Sequence, residues 1–202
     1  MIQFVAFDLG GVLVDVRLEH LAKSLNRPTE ETDAAFFGER RHEGFSTGSL
    51  NANAFLQSAA KMLGVSQEDA SSAWASVVAP YPCANAVLAA LNRPFVAWSN
   101  TDPVHVGALA PSLPPMLLGP SRALSYEVGA NKPAPRFFEK ALGQLQWSPD
   151  EILYLDDRLE NVHAAQAFGI AAHQIHGLAE CVTLLREMNV LPATFRLTVS
   201  QP

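Results

Sequence analysis

Cysteine is nearly absent: of 202 residues only Cys83 and Cys181 carry a thiol, far apart and without metal-ligand spacing. This composition offers no disulfide framework and no zinc site, and it fits a reducing cytoplasm. Basic charge is also scarce, with 14 Lys and Arg against 20 Asp and Glu and a formal net charge of −6. Without a basic field, neither nucleic acid nor an anionic membrane surface is expected as a partner, and an anionic ligand has to be attracted locally. Long hydrophobic runs are missing too. No stretch approaches the ~20 apolar residues of a spanning helix. The first apolar run has no basic residues before it and stops at Asp8, so neither a leader nor an anchor is expected. No Gly-x-Gly-x-x-Gly follows a strand-like run, which removes the dinucleotide-binding fingerprint. Internal repeats and low-complexity tracts are absent.

What is present is a chain 49% apolar, enough for one good core and a smaller satellite. Residues 2–7 form a short apolar run that ends at Asp8-Leu9-Gly10-Gly11, the pattern of a buried strand entering a loop. Residues 93–98 repeat it before Ser99-Asn100-Thr101, residues 151–155 before Asp156-Asp157, and residues 170–175 are a fourth candidate. Helical periodicity separates them, as in Phe137, Phe138, Ala141, Leu142 and Leu145 behind Pro135. Strands alternating with helices predict a Rossmann-like, mainly parallel α/β sheet, whose ligand crevice lies beyond the carboxyl ends of the strands. About 90 residues separate Asp8 from Ser99, far more than a parallel crossover requires, and the patterns between residues 17 and 91 are all helical. The expected organisation is a catalytic core from residues 1–14 and 92–202, with a small all-helical cap over 15–91. The Pro-rich stretch 111–120 reads as an irregular surface connection, and 191–199 as a short strand or a loose end.

Asp8 stands at the mouth of a strand, and Gly10 and Gly11 lack the side chains that would keep backbone away from a bound anion. A plain strand-ending turn has the same pattern. Asp156 and Asp157 are adjacent carboxylates at the end of a buried strand. They repel unless a cation intervenes, and Mg²⁺, which takes a few carboxylate oxygens, suits them together with Asp8. Acidic residues also suit a helix start, so the pair reads equally as a cap. Ser99 and Asn100 offer donors to phosphoryl oxygens or a cap to the next helix. Lys132 could neutralise charge on a transferring group, although a loop Lys is usually solvated.

The joint order of these motifs is more telling than any one of them. The chain resembles the haloacid dehalogenase superfamily of hydrolases in Phe7-Asp8-Leu9-Gly10-Gly11-Val12-Leu13-Val14-Asp15, Trp98-Ser99-Asn100-Thr101, Asn131-Lys132-Pro133 and Leu155-Asp156-Asp157 with Asn161. The resemblance spans about residues 1–176 and is to the phosphatase branch with a helical cap after the first motif. It implies a Mg²⁺-dependent phosphatase acting on a small phosphorylated metabolite, a sugar phosphate being one candidate. Asp8 would attack phosphorus, while Ser99 and Lys132 hold its oxygens. Asp8, the carbonyl of Gly10, Asp157 and Asp156 would bind the metal, Asp156 directly or through water, and Asn161 would orient the acidic loop.

One position departs from the pattern. Phosphatases of the superfamily usually carry a second Asp two residues after the nucleophile to protonate the leaving group, and here that residue is Gly10. General acid–base help is worth roughly 10²–10⁴-fold, so a good leaving group or an acid from the cap would have to compensate. Arg40, Arg41, His42 and Glu43 form the most polar cap stretch and are the candidates for substrate contact, with a solvated helix end as the alternative. Asp15 is expected at the cap hinge. Two rival functions remain: a catalytically silent relative that binds a phosphorylated ligand or a protein partner, and a 2-haloacid dehalogenase, against which the acidic doublet argues.

Overall fold

The computed structural model describes residues 1–197. Five parallel strands form the central sheet: β1 (Phe4–Phe7), β4 (Phe95–Ser99), β5 (Ala123–Leu124), β6 (Ile152–Asp156) and β7 (Ala171–Gln174), in spatial order β5-β4-β1-β6-β7. Two short strands, β2 (Val14–Val16) and β3 (Val78–Pro80), pair antiparallel with Val14 opposite Pro80 and Val16 opposite Val78. β1 lies in the middle, with Val5 opposite Phe95 on one side and Leu153 on the other. The chain builds outward from β1 through β4 to β5 and then crosses back to β6, so the order reverses beside β1. Open α/β sheets bind ligands at such a reversal.

Side-chain alternation divides each central strand between two cores. Val5, Phe7, Phe95, Ala97, Leu153 and Leu155 face one side, whereas Phe4, Ala6, Val96, Trp98, Ile152 and Tyr154 face the other. The first face is covered by α6 (Ala84–Ala89), α7 (Pro103–Leu109) and α11 (Gly177–Glu187). The second is covered by α9 (Pro135–Leu142) and α10 (Leu159–Ala167), with α8 (Ser125–Val128) contributing Val128. α9 begins at a proline whose fixed φ suits a first turn, and it buries Phe137, Phe138 and Ala141.

A third apolar cluster belongs to the segment between β2 and β3: α1 (Glu19–Leu25), α2 (Thr29–Phe37), α3 (Arg41–Ser46), α4 (Ala52–Leu63) and α5 (Gln67–Ala75). α4 is bounded by chemistry readable in the sequence. Asn51 accepts the Ala54 N–H at 2.9 Å, and Gly64 takes the left-handed φ of 64° just past the end. Phe36, Phe45, Phe55 and Trp74 are fully buried there.

The structure departs from the sequence reading at three places. α6, grouped with the cap over 84–91, instead sends Ala84, Val87 and Leu88 into the sheet's own core. β3 adds a strand where only helical patterns were legible, and with β2 it forms the stem on which the helices stand. The 111–120 connection is anchored: Leu113 and Leu117 are buried, Ala97 donates to the Leu117 carbonyl at 2.8 Å, and β5 follows as an edge strand. Residues 191–197 form no strand, and 198 and 199 lie outside the described residues. Among the described residues no helix is long and apolar enough to cross a membrane.

Asp102 ties the inserted helices to the sheet. Its carboxylate caps α7 by accepting the N–H groups of Val104 and His105 at 2.9 and 3.0 Å. It also receives the Trp74 indole N–H at 3.1 Å and lies 2.8 Å from His105 Nδ1. The other ring nitrogen of His105 is 2.9 Å from the Trp74 carbonyl. Burial works against charge on Asp102, but the bonds from His105 and Trp74 outweigh it and hold the carboxyl below its ordinary value. An Asp102→Asn variant turns one of these donors toward an amide N–H₂, and its expected cost is about 1–3 kcal/mol by urea unfolding at pH 7. Because the folded value lies below the unfolded one of about 3.9, this contribution is complete above that pH and is lost as pH falls through the folded value. The difference in urea midpoint between the native chain and the variant should therefore shrink on acidification below pH ~4.

Candidate active site

β1, β4 and β6 end side by side, and each ends where polar residues take over: Asp8, Ser99 and Asp156 are all buried. Lys132 arrives from the loop between α8 and α9. Asn100 holds that loop from both sides, donating to the Lys132 carbonyl at 2.9 Å and accepting its N–H at 2.7 Å. The Lys132 ammonium is fully enclosed. It donates to the Trp98 carbonyl at 2.8 Å, the Tyr154 hydroxyl at 2.7 Å and Asp156 Oδ2 at 2.6 Å, and it lies 3.1 Å from Asp8 Oδ1. The Tyr154 hydroxyl donates to Asp156 as well.

Asp156 is saturated by these contacts. Its Oδ1 also accepts from the Arg158 N–H at 2.9 Å and from Asn161 Nδ2 at 3.0 Å, and the same amide reaches Oδ2 at 3.1 Å. Burial opposes its charge, but Lys132, Tyr154 and the loop N–H hold its carboxyl below the ordinary range. Asp8 behaves differently. Burial, opposed by Lys132 and reinforced by the negative charge of Asp156, pushes it up to about 6, while a hydrogen bond from Ser99 draws it back. Asp157 is only half-buried and is also raised, by burial and then by Asp156.

Asp8, Asp156 and Asp157 present oxygens within 4.8 Å of one another. Carboxylates this close favour a proton or a cation between them, and an all-oxygen donor set suits a hard divalent ion such as Mg²⁺. Gly11 makes the close approach possible. Its φ is +70°, and a Cβ there would fall 2.5 Å from Asp157 Oδ2.

A cavity of about 620 Å³ opens over this cluster. Of the residues singled out in the sequence, Asp8, Gly10, Gly11, Asn100, Lys132, Asp157, Asn161 and His42 line it, with Glu43 and Asp15 beside them. Ser99 lies just beneath and reaches Asp8, and Asp156 forms the floor. Arg40 and Arg41 are not brought to the cavity. Arg40 forks onto Glu43 at 2.6 and 2.7 Å, and Arg41 donates to the carbonyls of Ala34 and Ala35. His42 alone of the three turns inward, against Phe37 and Trp74. Burial and then His105 lower its proton affinity, with Asp102 opposing them. Tyr154, Tyr81, Asn131 and Ser46 were not anticipated as site residues. Tyr154 reads only as a core residue of its strand. Asn131 joins the site to the inserted helices through its bond to Ser46 at 2.9 Å, a pairing across 85 residues without a local signal.

Comparison with known proteins bears on this arrangement. The haloacid dehalogenase-like hydrolase family matches residues 2–169. The D-ribitol-5-phosphate phosphatase of Bacteroides thetaiotaomicron is 25% identical over 194 residues, covering 86% of this chain and 92% of that protein. A sesquiterpene phosphatase of Aspergillus oryzae is 44% identical over 57 residues, only 28% of this chain and 29% of that protein. Among solved structures, the HAD family enzyme BT-2542 of B. thetaiotaomicron, in complex with magnesium and inorganic phosphate, superimposes with a TM-score of 0.74 at 22% identity, covering 86% and 94% of the two chains. The L-2-haloacid dehalogenase of Xanthobacter autotrophicus, with chloropropionic acid covalently bound, shares the fold at a TM-score of 0.59 and 20% identity, covering 95% and 85%.

Removing the Lys132 charge strands Asp8 and Asp156 as buried neighbours. A Lys132→Met variant is expected to lose about 3–5 kcal/mol of stability in urea unfolding at pH 7, more than an apolar side chain of similar length can restore by packing.

Proposed function

Because the chain belongs to the haloacid dehalogenase-like hydrolases, we propose that it is a Mg²⁺-dependent phosphatase that cleaves a small phosphate monoester through an aspartyl-phosphate on Asp8. The observation that carries this reading is the convergence of Asp8, Asp156 and Asp157 within 4.8 Å beside a fully enclosed Lys132. A dehalogenase has no need of the third carboxylate. A silent binding protein has no need to bear the cost of a buried, partly unpaired acidic cluster.

With its proton affinity raised only to about 6, Asp8 is mainly ionised at neutral pH and can act as the nucleophile. Ser99 would hold the phosphoryl oxygens, helped by Asn100 and the backbone at Gly11, while Lys132 beside Asp8 would offset their charge. Asp8, the Gly10 carbonyl and Asp157 would hold the metal, and Asp156, whose oxygens already accept from Lys132, Tyr154, Asn161 and the Arg158 N–H, would reach it only through water. An ion held by these residues would screen the repulsion between Asp8 and the phosphate it must approach. Asn161 and Tyr154 keep Asp156 fixed as the counter-ion of Lys132, so the ammonium stays aimed at Asp8. Position 10 supplies no proton, and burial lowers the proton affinity of His42, the cap residue that turns toward the cavity. Its two phosphatase relatives bear the names of very different alcohols, a pentitol and a sesquiterpene, so they do not choose the alcohol. A cytoplasmic location is supported by the scarcity of cysteine.

A panel of phosphate esters assayed with Mg²⁺ tests the proposal. Turnover should fall to background in Asp8→Asn and in excess chelator, and return when Mg²⁺ is restored. Ser99→Ala should lower kcat by about 10²-fold, the usual cost of losing one donor to a developing charge. Chloride release from 2-chloropropionate should be absent. Turnover that persists in chelator would overturn the mechanism.

A further inference from the structure

Behind Gly10 a second cavity of about 360 Å³ extends from the first, between the sheet and the inserted helices. The two share Gly10, Val16, His42, Asn100 and Arg158, so the position that lacks an acid lies where they meet. A Cβ at position 10 would meet the Val16 side chain at 3.2 Å, and a longer side chain would narrow the passage further. The wall of this annex is mostly apolar. Its wall includes the rings of Phe37, His42 and Trp74, with centroids 5.2–5.6 Å apart. Its mouth carries Val16 and Leu18, both about half exposed. A volume of this size is at the lower end of ordinary small-molecule sites, and its predominantly apolar lining favours an apolar group over a polyol.

Resting on the phosphatase reading above, we infer that the annex behind Gly10 holds the ring of an aromatic alcohol, so that the substrates are phosphate monoesters of phenols. Two independent features agree on this class. A mostly apolar wall that carries aromatic rings, tilted 56–62° to one another, suits edge-to-face contact with a further ring, and the want of a proton donor at position 10 favours an oxygen that departs as an anion. A phenolic oxygen holds its proton with a pKa near ~10, as in tyrosine, whereas water, closer to an aliphatic alcohol, has one near ~15.7. In the first step an oxygen of Asp8 bonds to phosphorus, the bond from phosphorus to the phenolic oxygen breaks, and its electron pair leaves with the phenolate. In the second a water oxygen bonds to phosphorus, the bond to Asp8 breaks, and the proton released from water ends on the phenolate. The sum is phenol and inorganic phosphate.

The test separates binding from turnover. By calorimetry, 2-naphthylmethylphosphonate should bind about 10- to 100-fold more tightly than methylphosphonate, the gain from burying one large apolar group. Leu18→Asp, at the exposed mouth, should erase most of that difference while leaving methylphosphonate binding unchanged. In turnover with Mg²⁺, kcat/KM for 2-naphthyl phosphate should exceed that for cyclohexyl phosphate and ribose 5-phosphate by about 10²-fold or more, the low end of the help a missing acid would give. Gly10→Asp should shrink that ratio at least tenfold by supplying an acid and crowding the place where the cavities meet. Equal binding of the two phosphonates, or faster turnover of ribose 5-phosphate, overturns the aromatic assignment and leaves the phosphatase reading intact. Tight naphthyl binding that Leu18→Asp weakens, with no ester hydrolysed, overturns the phosphatase reading and leaves the annex as an aromatic subsite.

Discussion

An ammonium group sealed from water between two carboxylates is the constraint on which the rest of this structure depends. Lys132 sits with its side chain fully enclosed, facing Asp156 directly and Asp8 slightly farther off. Desolvating such charges is costly, and the cost is met only where every remaining lone pair and proton is used. The surroundings supply this: a carbonyl from β4, a phenol and a carboxylate from β6, and the Asn161 amide from α10. They come from two strands, β4 and β6, that flank β1 and from the helix after β6, so the pair forms only when the strands are in register. Local chemistry and global topology are therefore the same requirement.

Asp156 and Asp157 show how neighbours in sequence come to differ through burial and the donors each one meets. Asp156 is pulled under the strand end, saturated with donors and held ionised. Asp157 remains at the cavity wall, with its charge disfavoured by burial and by Asp156 beside it. One serves as a fixed counter-ion and the other is left with coordination to offer. Environments that push paired titratable groups apart in this way are a mark of functional sites.

Much of the fold was legible because the three main strands are short apolar runs, each ended abruptly by polar residues, and because helical periodicity fills the gaps. The order of the four motifs carried the location of the cluster for the same reason, since three of them stand at strand ends and the fourth, with Lys132, lies in a loop between two helices. Other parts were not legible. β5 is two residues long, too short for any periodicity, and β3 contains a proline. α6 has an apolar stripe that fits either core, and only its packing decides. The polar run at 40–43 reads either as substrate contacts or as a solvated helix end. The backbone, however, takes left-handed φ values at Glu39 and Arg40, and this bend directs His42 inward while Arg40 and Arg41 stay on neighbouring backbone and side chains. Tyr154 gave no signal because a phenol at a core position is distinguished only by what its hydroxyl meets.

The β2–β3 ribbon has an evolutionary corollary. The chain leaves the sheet and returns to it on two strands already hydrogen-bonded side by side, with Val14 opposite Pro80. A segment whose two ends are pinned together in this way can be lengthened, shortened or exchanged at little further loop-closure cost, since that cost grows only slowly with length. Nothing in the registers of β1, β4 and β6 depends on what hangs from the ribbon. Diversification of what the molecule accepts can thus proceed by grafting at one stem, with the charge-bearing floor inherited unchanged.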